Sequence, residues 1–499
     1  MMSIPLRIKE IIRKFSYHYH YLLLLILTCF YMVIMYTDSL KLPLGHLTFL
    51  VLVSMALIMY QPSSQIRRVL VMIGVLGGLS AFYSPINDVP DEYVHYARSL
   101  FLSEGDLNLS NNPQDLEVSE DIKAIDQRAG KSLLKDKLGQ VRHSDQQLSY
   151  LAVKMTNAYY SISYLPQALG LALGNALKLP VIWTYYLGRL VNLSAYLLLI
   201  YLALKRAGAY QQVIAVVAMN PMTVYLAASY NQDGFATGMI LLVISLFLNL
   251  LESPKVSYRQ LLTYYLACLI LVVTKFPYLL LSLLPLFIRE EGEKHERMEK
   301  FLNKFLLTII VIGFGLIWYL LYNQIQPPKL ADFLEKVNSS KQLQTIFSNL
   351  PLYGRLIFRK MFESLLNLNG MLIYGPLTYG TASSFTLYLA YLGLVYLNNL
   401  GKARVGAGLK LGLLLVILGV SGMITLALYL TWTPVGDLEI LGVQSRYFIG
   451  LLPLIYLLLS SHKPAAQGLT NLVTDKKVIN LGLVFLLTML IATVLQYYR

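Results

Sequence analysis

Long apolar runs recur along almost the whole chain, and they leave few architectures open. Stretches near 21–37, 44–60, 67–83, 182–204, 212–230, 234–251, 260–274, 276–288, 305–323, 383–400, 409–431, 446–461 and 478–497 approach the roughly 20 residues that cross a bilayer as a helix. Hydrocarbon offers no water to backbone N–H and C=O groups, so such runs must bond internally as helices. Hydrophobic residues fill 56 % of the 499 positions and charged ones 14 %, which excludes an ordinary soluble domain. The chain is predicted to be an all-α polytopic membrane protein of about thirteen transmembrane helices.

A net charge of +14 would suggest nucleic acid in a soluble protein. Here the basic residues gather in short loops between apolar runs, so they read as topology signals and no nucleic-acid partner is expected. If spans alternate, Arg67/Arg68, Lys205/Arg206, Lys255/Arg259, the run 289–304, Lys402/Arg404/Lys410 and Lys463/Lys476/Lys477 share one side. That side is the cytoplasm, with the N-terminus inside and the C-terminus outside a plasma membrane. Residues 159–177 are apolar but would invert every later span, so they are expected to lie at the interface or re-enter. Arg7, Lys9, Arg13 and Lys14 precede the first run as in a signal peptide, yet no small-residue cleavage site follows Met35-Tyr36, and the span is expected to be retained. Cys29 and Cys268 lie within apolar runs and imply neither disulfides nor zinc.

Five segments follow: membrane helices in 1–83, an outer loop with interfacial helices in 84–181, central helices in 182–323, a second outer loop in 324–382 and C-terminal helices in 383–499. There is no glycine-rich phosphate loop followed by Lys-Ser/Thr and no Gly-x-Ser-x-Gly elbow. What stands out is Asn87-Asp88-Val89-Pro90-Asp91-Glu92-Tyr93-Val94-His95, three acids within five positions at a membrane boundary. Pro90 is placed to start a helix whose apolar side, Tyr93, Val94, Ala97, Leu100 and Phe101, would lie on the membrane surface. Its other side would gather Asp91, Glu92, His95 and Arg98.

Alternation brings further polar groups to the same outer boundary: Asn231-Gln232-Asp233, Lys275, Gln444-Ser445-Arg446-Tyr447, and Arg189 two turns inside its helix. A shared polar cavity explains this best. Each member also has a plainer reading. Asp88 suits a helix cap, Asp91 and Glu92 suit a helix dipole, Asp233 suits a cap after a tight turn, and Lys275 suits snorkelling. Capping needs one acid rather than three beside a His, so chemistry outweighs it. Arg446 is expected at the outer N-terminus of a helix, a poor place for an unpaired cation unless an anion binds there or Asp437 or Glu439 neutralises it.

Outer acids, outer cations and access through the bilayer suit a substrate with a lipid tail and an anionic head, such as a polyprenyl-phosphate sugar. Glycosyl transfer to an extracytoplasmic glycan needs one base, with cations steadying the departing phosphate. Asp91 is the expected base, with Glu92 and His95 orienting it. Arg446, Lys275 and Arg189 would bind the donor phosphate, and Asp88, Asn231, Asp233, Gln444 and Tyr447 would line the substrate. Membrane lipid is the remaining expected partner.

The blocks Pro90-Asp91-Glu92-Tyr93-Val94-His95, Asn220-Pro221 with Asn231-Gln232-Asp233, Thr274-Lys275-Phe276-Pro277-Tyr278 and Gly442-Val443-Gln444-Ser445-Arg446-Tyr447-Phe448 resemble the signature of a bacterial family of predicted polytopic membrane proteins without assigned function. That family looks like a branch of the GT-C glycosyltransferases. The resemblance runs from about residue 84 to residue 460. It implies a GT-C-like bundle, a large first outer loop with amphipathic helices, Asp91 and Glu92 as the acidic motif, a polyprenyl-phosphate-sugar donor and inversion at the sugar. The chain departs from the GT-C pattern in placing three apolar runs before the acidic loop and no sizeable soluble domain after the last span. Acceptor recognition would then fall to 100–157 and 324–382. A divalent metal on Asp88, Asp91 or Glu92 stays open, since hard cations want more oxygens than this segment supplies. A transporter or flippase of lipid-linked glycans, and a surface-polysaccharide polymerase or ligase, are the competing readings.

Overall fold

The computed structural model describes residues 4–37, 39, 41–289, 292–322, 324–399, 405–460 and 474–499. Lys402, Arg404 and Lys463, part of the charge pattern, lie outside them. Most of the described residues are helical. Before the first long connecting segment come α1 (Ile4–Tyr36), α2 (Leu44–Met59) and α3 (Gln65–Tyr83). That segment holds α4 (Glu92–Ser103), α5 (Asp121–Asp126) and the antiparallel pair β1 (Glu117–Ser119) and β2 (Gln147–Ser149), with Val118 opposite Leu148. Then follow α6 (Leu165–Ala176), α7 (Val181–Arg206), α8 (Gln211–Ala218), α9 (Pro221–Ala227), α10 (Asp233–Glu252), α11 (Tyr258–Thr274) and α12 (Lys294–Tyr322). The next segment carries α13 (Asp332–Glu335), α14 (Ser339–Ser348), α15 (Leu350–Leu366) and the small hairpin β3 (Ile373–Tyr374) and β4 (Tyr379–Gly380). The chain closes with α16 (Phe385–Asn399), α17 (Ala407–Thr431), α18 (Leu452–Leu459) and α19 (Asp475–Tyr497).

Among the described residues seven helical segments are long and apolar enough to cross a membrane: Phe15–Tyr36, Gln65–Tyr83, Val181–Arg206, Asp233–Glu252, Lys294–Tyr322, Ala407–Thr431 and Asp475–Tyr497. The other apolar runs of the expected thirteen are shorter or broken, and proline is the reason in three of them. The run 212–230 divides at Asn220-Pro221, where the Asn220 side chain accepts the Thr223 N–H and Pro221 opens α9. Phe276–Phe287 winds as a 3₁₀ helix containing Pro285, because proline lacks the N–H that an α-helix interior needs. The run from Ser445 begins as a 3₁₀ helix and becomes α18 only at Leu452-Pro453. A single-residue hydropathy count cannot see these breaks.

Residues 159–177 form a 3₁₀ turn and α6, whose 12 residues are too short to span. Two glycines set α6 against α7. A Cβ on Gly170 would lie 2.7 Å from the Gly188 Cα, and one on Gly174 would lie 2.6 Å from the Thr184 side chain. Small residues thus let the two backbones meet closely, as in membrane helix pairs.

The expected surface helix after Pro90 is corrected by the structure. Its apolar positions do share a helix, but α4 is enclosed by α6, β1 and the 3₁₀ turns Leu151–Thr156 and Ser161–Tyr164, with Tyr96 edge-on to Tyr185 of α7. Ten of its 12 residues are buried, Tyr93 being an exception. Tyr96, Ala97, Leu100 and Phe101 join Leu116, Val118, Ile122 and Tyr185 in a second core separate from the main bundle. The loop 84–157 folds back over α4, and a periodicity that suits a membrane face suits this cover equally.

Candidate functional site

The acidic block begins in the loop that follows α3. Asp88 is buried, and its carboxylate accepts three phenol hydroxyls: Tyr225 at 2.6 Å, Tyr379 at 2.8 Å and Tyr497 at 2.5 Å. These come from α9, β4 and the end of α19, so Asp88 ties the loop to three distant segments and caps no helix. Burial pushes its carboxyl up from the ordinary value, while the three phenols work against that.

Glu92 and Arg189 are both 0 % exposed and form a bidentate pair, Nε to Oε1 at 2.9 Å and Nη2 to Oε2 at 2.7 Å. The rest of the guanidinium donates to the carbonyls of Ala81, Ser84 and Pro85, satisfying the end of α3. Glu92 Oε1 also accepts the Tyr230 N–H at 3.1 Å. The expectation of a phosphate-binding Arg189 meets a group whose donors are all engaged, sealed from solvent. Glu92 likewise offers no free oxygen to a reaction; the pair fastens α3, α4 and α7 around the loop.

Asp91 differs from both neighbours. It occupies the N-cap position of α4 with φ +60°, the left-handed region that Asp tolerates better than most residues, and its side chain makes no capping bond. Asn231 fixes this kink by donating its amide to the Pro90 carbonyl at 3.0 Å, while its own oxygen accepts the Asp233 N–H at 2.8 Å. The Asp91 carboxylate is left 55 % exposed.

Three further groups close on it. The side chain of Arg446 is 3 % exposed, with Nη2 3.7 Å from Asp91 Oδ2 and Nε 3.7 Å from Asp233 Oδ2. Those separations are ion pairs beyond hydrogen-bond reach, and Nε and Nη1 have no hydrogen-bond partner. Neither Asp437 nor Glu439 is within ion-pair reach of Arg446. Lys275, expected to snorkel or bind phosphate, is buried and donates to Asp233 Oδ1 at 2.5 Å. Asp233 thus takes Lys275, and Gln232 Nε2 at 2.6 Å, rather than capping α10 with its side chain. Both cations lie over the Tyr447 ring, Lys275 Nζ at 4.8 Å and the Arg446 guanidinium at 5.4 Å from its centre.

Arg446 opens a 3₁₀ turn, not an α-helix, so the expected dipole contribution is smaller. The turn is positioned by glycines on either side: Gly442 has φ +77° with Trp432 where a Cβ would be, at 2.6 Å, and a Cβ on Gly370 would meet Ser445 Oγ at 2.8 Å. Gln444 Oε1 is buried without a hydrogen-bond partner. His95 is buried one turn along α4, its Nδ1 2.8 Å from the Tyr164 hydroxyl. Burial holds the imidazole below its ordinary value, while Asp91 pulls the other way.

Asp91, His95, Asp233, Lys275, Arg446 and Tyr447 therefore share one site, Asn231 supports it, and Asp88 and the Glu92–Arg189 pair stand behind it. Two carboxylates face two cations, a nearly neutral arrangement with unfilled donors on Arg446. Among the described residues no group of three or more His, Cys, Asp or Glu side chains is placed to hold a metal ion. The tyrosines around Asp88 and Tyr164 beside His95 were not singled out by sequence. The chain has 37 tyrosines, and that excess was the one signal that phenols serve as its buried polar partners.

No curated protein and no solved structure matches the chain. A family model described as a predicted membrane protein, DUF2142, matches residues 74–455, a range that contains Asp91, His95, Asp233, Lys275, Arg446 and Tyr447. The chain belongs to the DUF2142 family of predicted membrane proteins.

Proposed function

We propose that the protein is an integral membrane glycosyltransferase that moves a sugar from a polyprenyl-phosphate donor to an extracytoplasmic glycan, with inversion at the sugar. The observation that carries this reading is the Arg446 guanidinium, buried with Nε and Nη1 unpartnered, beside a carboxylate that is half exposed and makes no cap. A buried guanidinium with open donors favours an anion, and the planar fork suits a phosphate. Asp91 then takes the proton from an acceptor hydroxyl. The freed oxygen bonds to the anomeric carbon as the bond from that carbon to the phosphate oxygen breaks, and polyprenyl phosphate leaves with the electron pair. Arg446 steadies the charge that develops on the phosphate, and Lys275 adds to the local potential while holding Asp233 in place. His95 lies within the same site as a neutral hydrogen-bonding group, and Glu92 with Arg189 acts as a positioning pair for the loop.

The test is transfer from a labelled panel of polyprenyl-phosphate hexoses by the purified full chain in lipid vesicles. Transfer by the native chain and its loss in Asp91→Asn, by about 10²–10⁴-fold for removal of a general base, supports the reading. Equal rates in Asp91→Asn overturn the assignment, and movement of the labelled lipid across the bilayer without transfer marks a transporter instead.

A further inference from the structure

Residues 339–366 carry a pattern that the site does not use. In α14 and α15 the side chains of Ile346, Tyr353 and Ile357 pack on Leu426, Tyr429 and Leu430, at the C-terminal end of the candidate span α17. Other apolar side chains of the two helices are uncovered: Phe347 is 72 % exposed, Leu366 71 %, and Leu350 and Phe358 more than half. Lys341, Arg355, Arg359 and Lys360 alternate with these residues against the single acid Glu363. The exposed Arg359–Glu363 pair, at 2.6 Å, offsets only one of those charges. Trp432 sits level with the hairpin at the end of α17, its ring edge-on to Phe333. Tryptophan at the end of a spanning helix marks the headgroup level.

We infer that the α14–α15 hairpin is a docking surface for the anionic phospholipid headgroups of the bilayer, at the end of α17 nearest Arg446. Large apolar side chains interleaved with Lys and Arg, at the level of an interfacial tryptophan, are what a helix lying in a membrane interface requires. The apolar side chains enter the acyl boundary and the cations meet lipid phosphates. A water-facing loop has no use for that apolar surface. The hairpin also reaches the site: residues 368–372, directly after α15, pack on the 3₁₀ turn that holds Ser445 and Arg446. Seating the hairpin in the lipid therefore fixes the depth of the Arg446 turn. This inference stands whether or not the site transfers sugar.

The test uses the full chain with Cys29→Ser and Cys268→Ser, spin-labelled at Phe347→Cys or Leu366→Cys, in vesicles of phosphatidylcholine alone or with an equal part of phosphatidylglycerol. Both labels are expected to be shielded from a water-soluble relaxant and accessible to oxygen, more deeply so with phosphatidylglycerol. Arg355→Gln, Arg359→Gln and Lys360→Gln are each expected to reduce the preference for phosphatidylglycerol by about fivefold, the equivalent of roughly 1 kcal/mol per basic residue at an anionic surface. Labels that remain open to the aqueous relaxant in both vesicles overturn the inference. So does shielding that appears only when polyprenyl phosphate is added, or that rises with protein density as for contact between copies.

Discussion

Arg446 brings its guanidinium to 3.7 Å from the Asp91 carboxylate, far along the sequence, and stops short of a hydrogen bond. Asp91 is thereby polarised by a cation without being consumed by it, while Lys275 holds Asp233, whose other oxygen lies 3.7 Å from Nε of the same guanidinium. Nε and Nη1 of Arg446 are left without a hydrogen bond.

Arg446→Lys keeps the charge but loses the planar fork, and Arg446→Ala loses both. Under the proposed transfer, kcat/KM for the donor is expected to fall about 10-fold in the first and 10²–10³-fold in the second, the range for removing one charge-stabilising donor. Steady-state kinetics with a polyprenyl-phosphate sugar checks this. Equal losses in the two variants would show that the planar fork and not the charge carries the effect, and an unimpaired Arg446→Lys would show that charge alone matters.

Breaking the sealed Glu92–Arg189 pair strands a buried charge. Glu92→Gln and Arg189→Met should each lower stability by about 3–5 kcal/mol, and the double variant by less than their sum. Thermal unfolding in detergent measures it. Additive losses would contradict a coupled pair.

His95 gives a pH signature. Its folded pKa is depressed by burial, whereas the unfolded chain takes up a proton near about 6.5. The unfolded state then binds more protons, so this residue's contribution to stability is complete above that value and is lost as pH falls towards the folded pKa. The slope reaches about 1.4 kcal/mol per pH unit. His95→Gln should flatten the fall in unfolding temperature between neutral and mildly acidic pH; an unchanged profile would refute a buried neutral imidazole.

Asp88 should behave as a structural acceptor. Asp88→Ala leaves three phenol hydroxyls without their partner and is expected to destabilise by about 1–3 kcal/mol, whereas Asp88→Asn keeps one oxygen and loses less. Because burial raises the Asp88 pKa, the native state holds its proton more readily than the unfolded chain. Its contribution is therefore present at low pH and declines as pH rises through the folded value. Unfolding temperature against pH in the native chain and Asp88→Asn tests the sign.

The apolar runs by themselves determined that the chain is a helical membrane protein, since hydrocarbon leaves the backbone no alternative. Local composition also marked Asp91, Asp233, Lys275 and Arg446, because charge is rare in this chain and conspicuous beside apolar runs. Sequence ranked Asp91 first as a base, with Glu92 as its partner and Asp88 as a cap, but it held nothing of what surrounds each acid. Tertiary structure enclosed Asp88 among phenols, paired Glu92 with Arg189 and left Asp91 open at a left-handed kink held by Asn231. Partners so distant along the chain, Asp88 with Tyr497 above all, are joined by packing rather than by spacing, and no periodicity encodes them. The same holds for α4, whose apolar stripe fits a membrane or a protein cover equally. Only the folded chain decided for the cover, because α6, β1 and the Tyr185 ring of α7 enclose Ala97, Leu100 and Phe101 where the bilayer was expected.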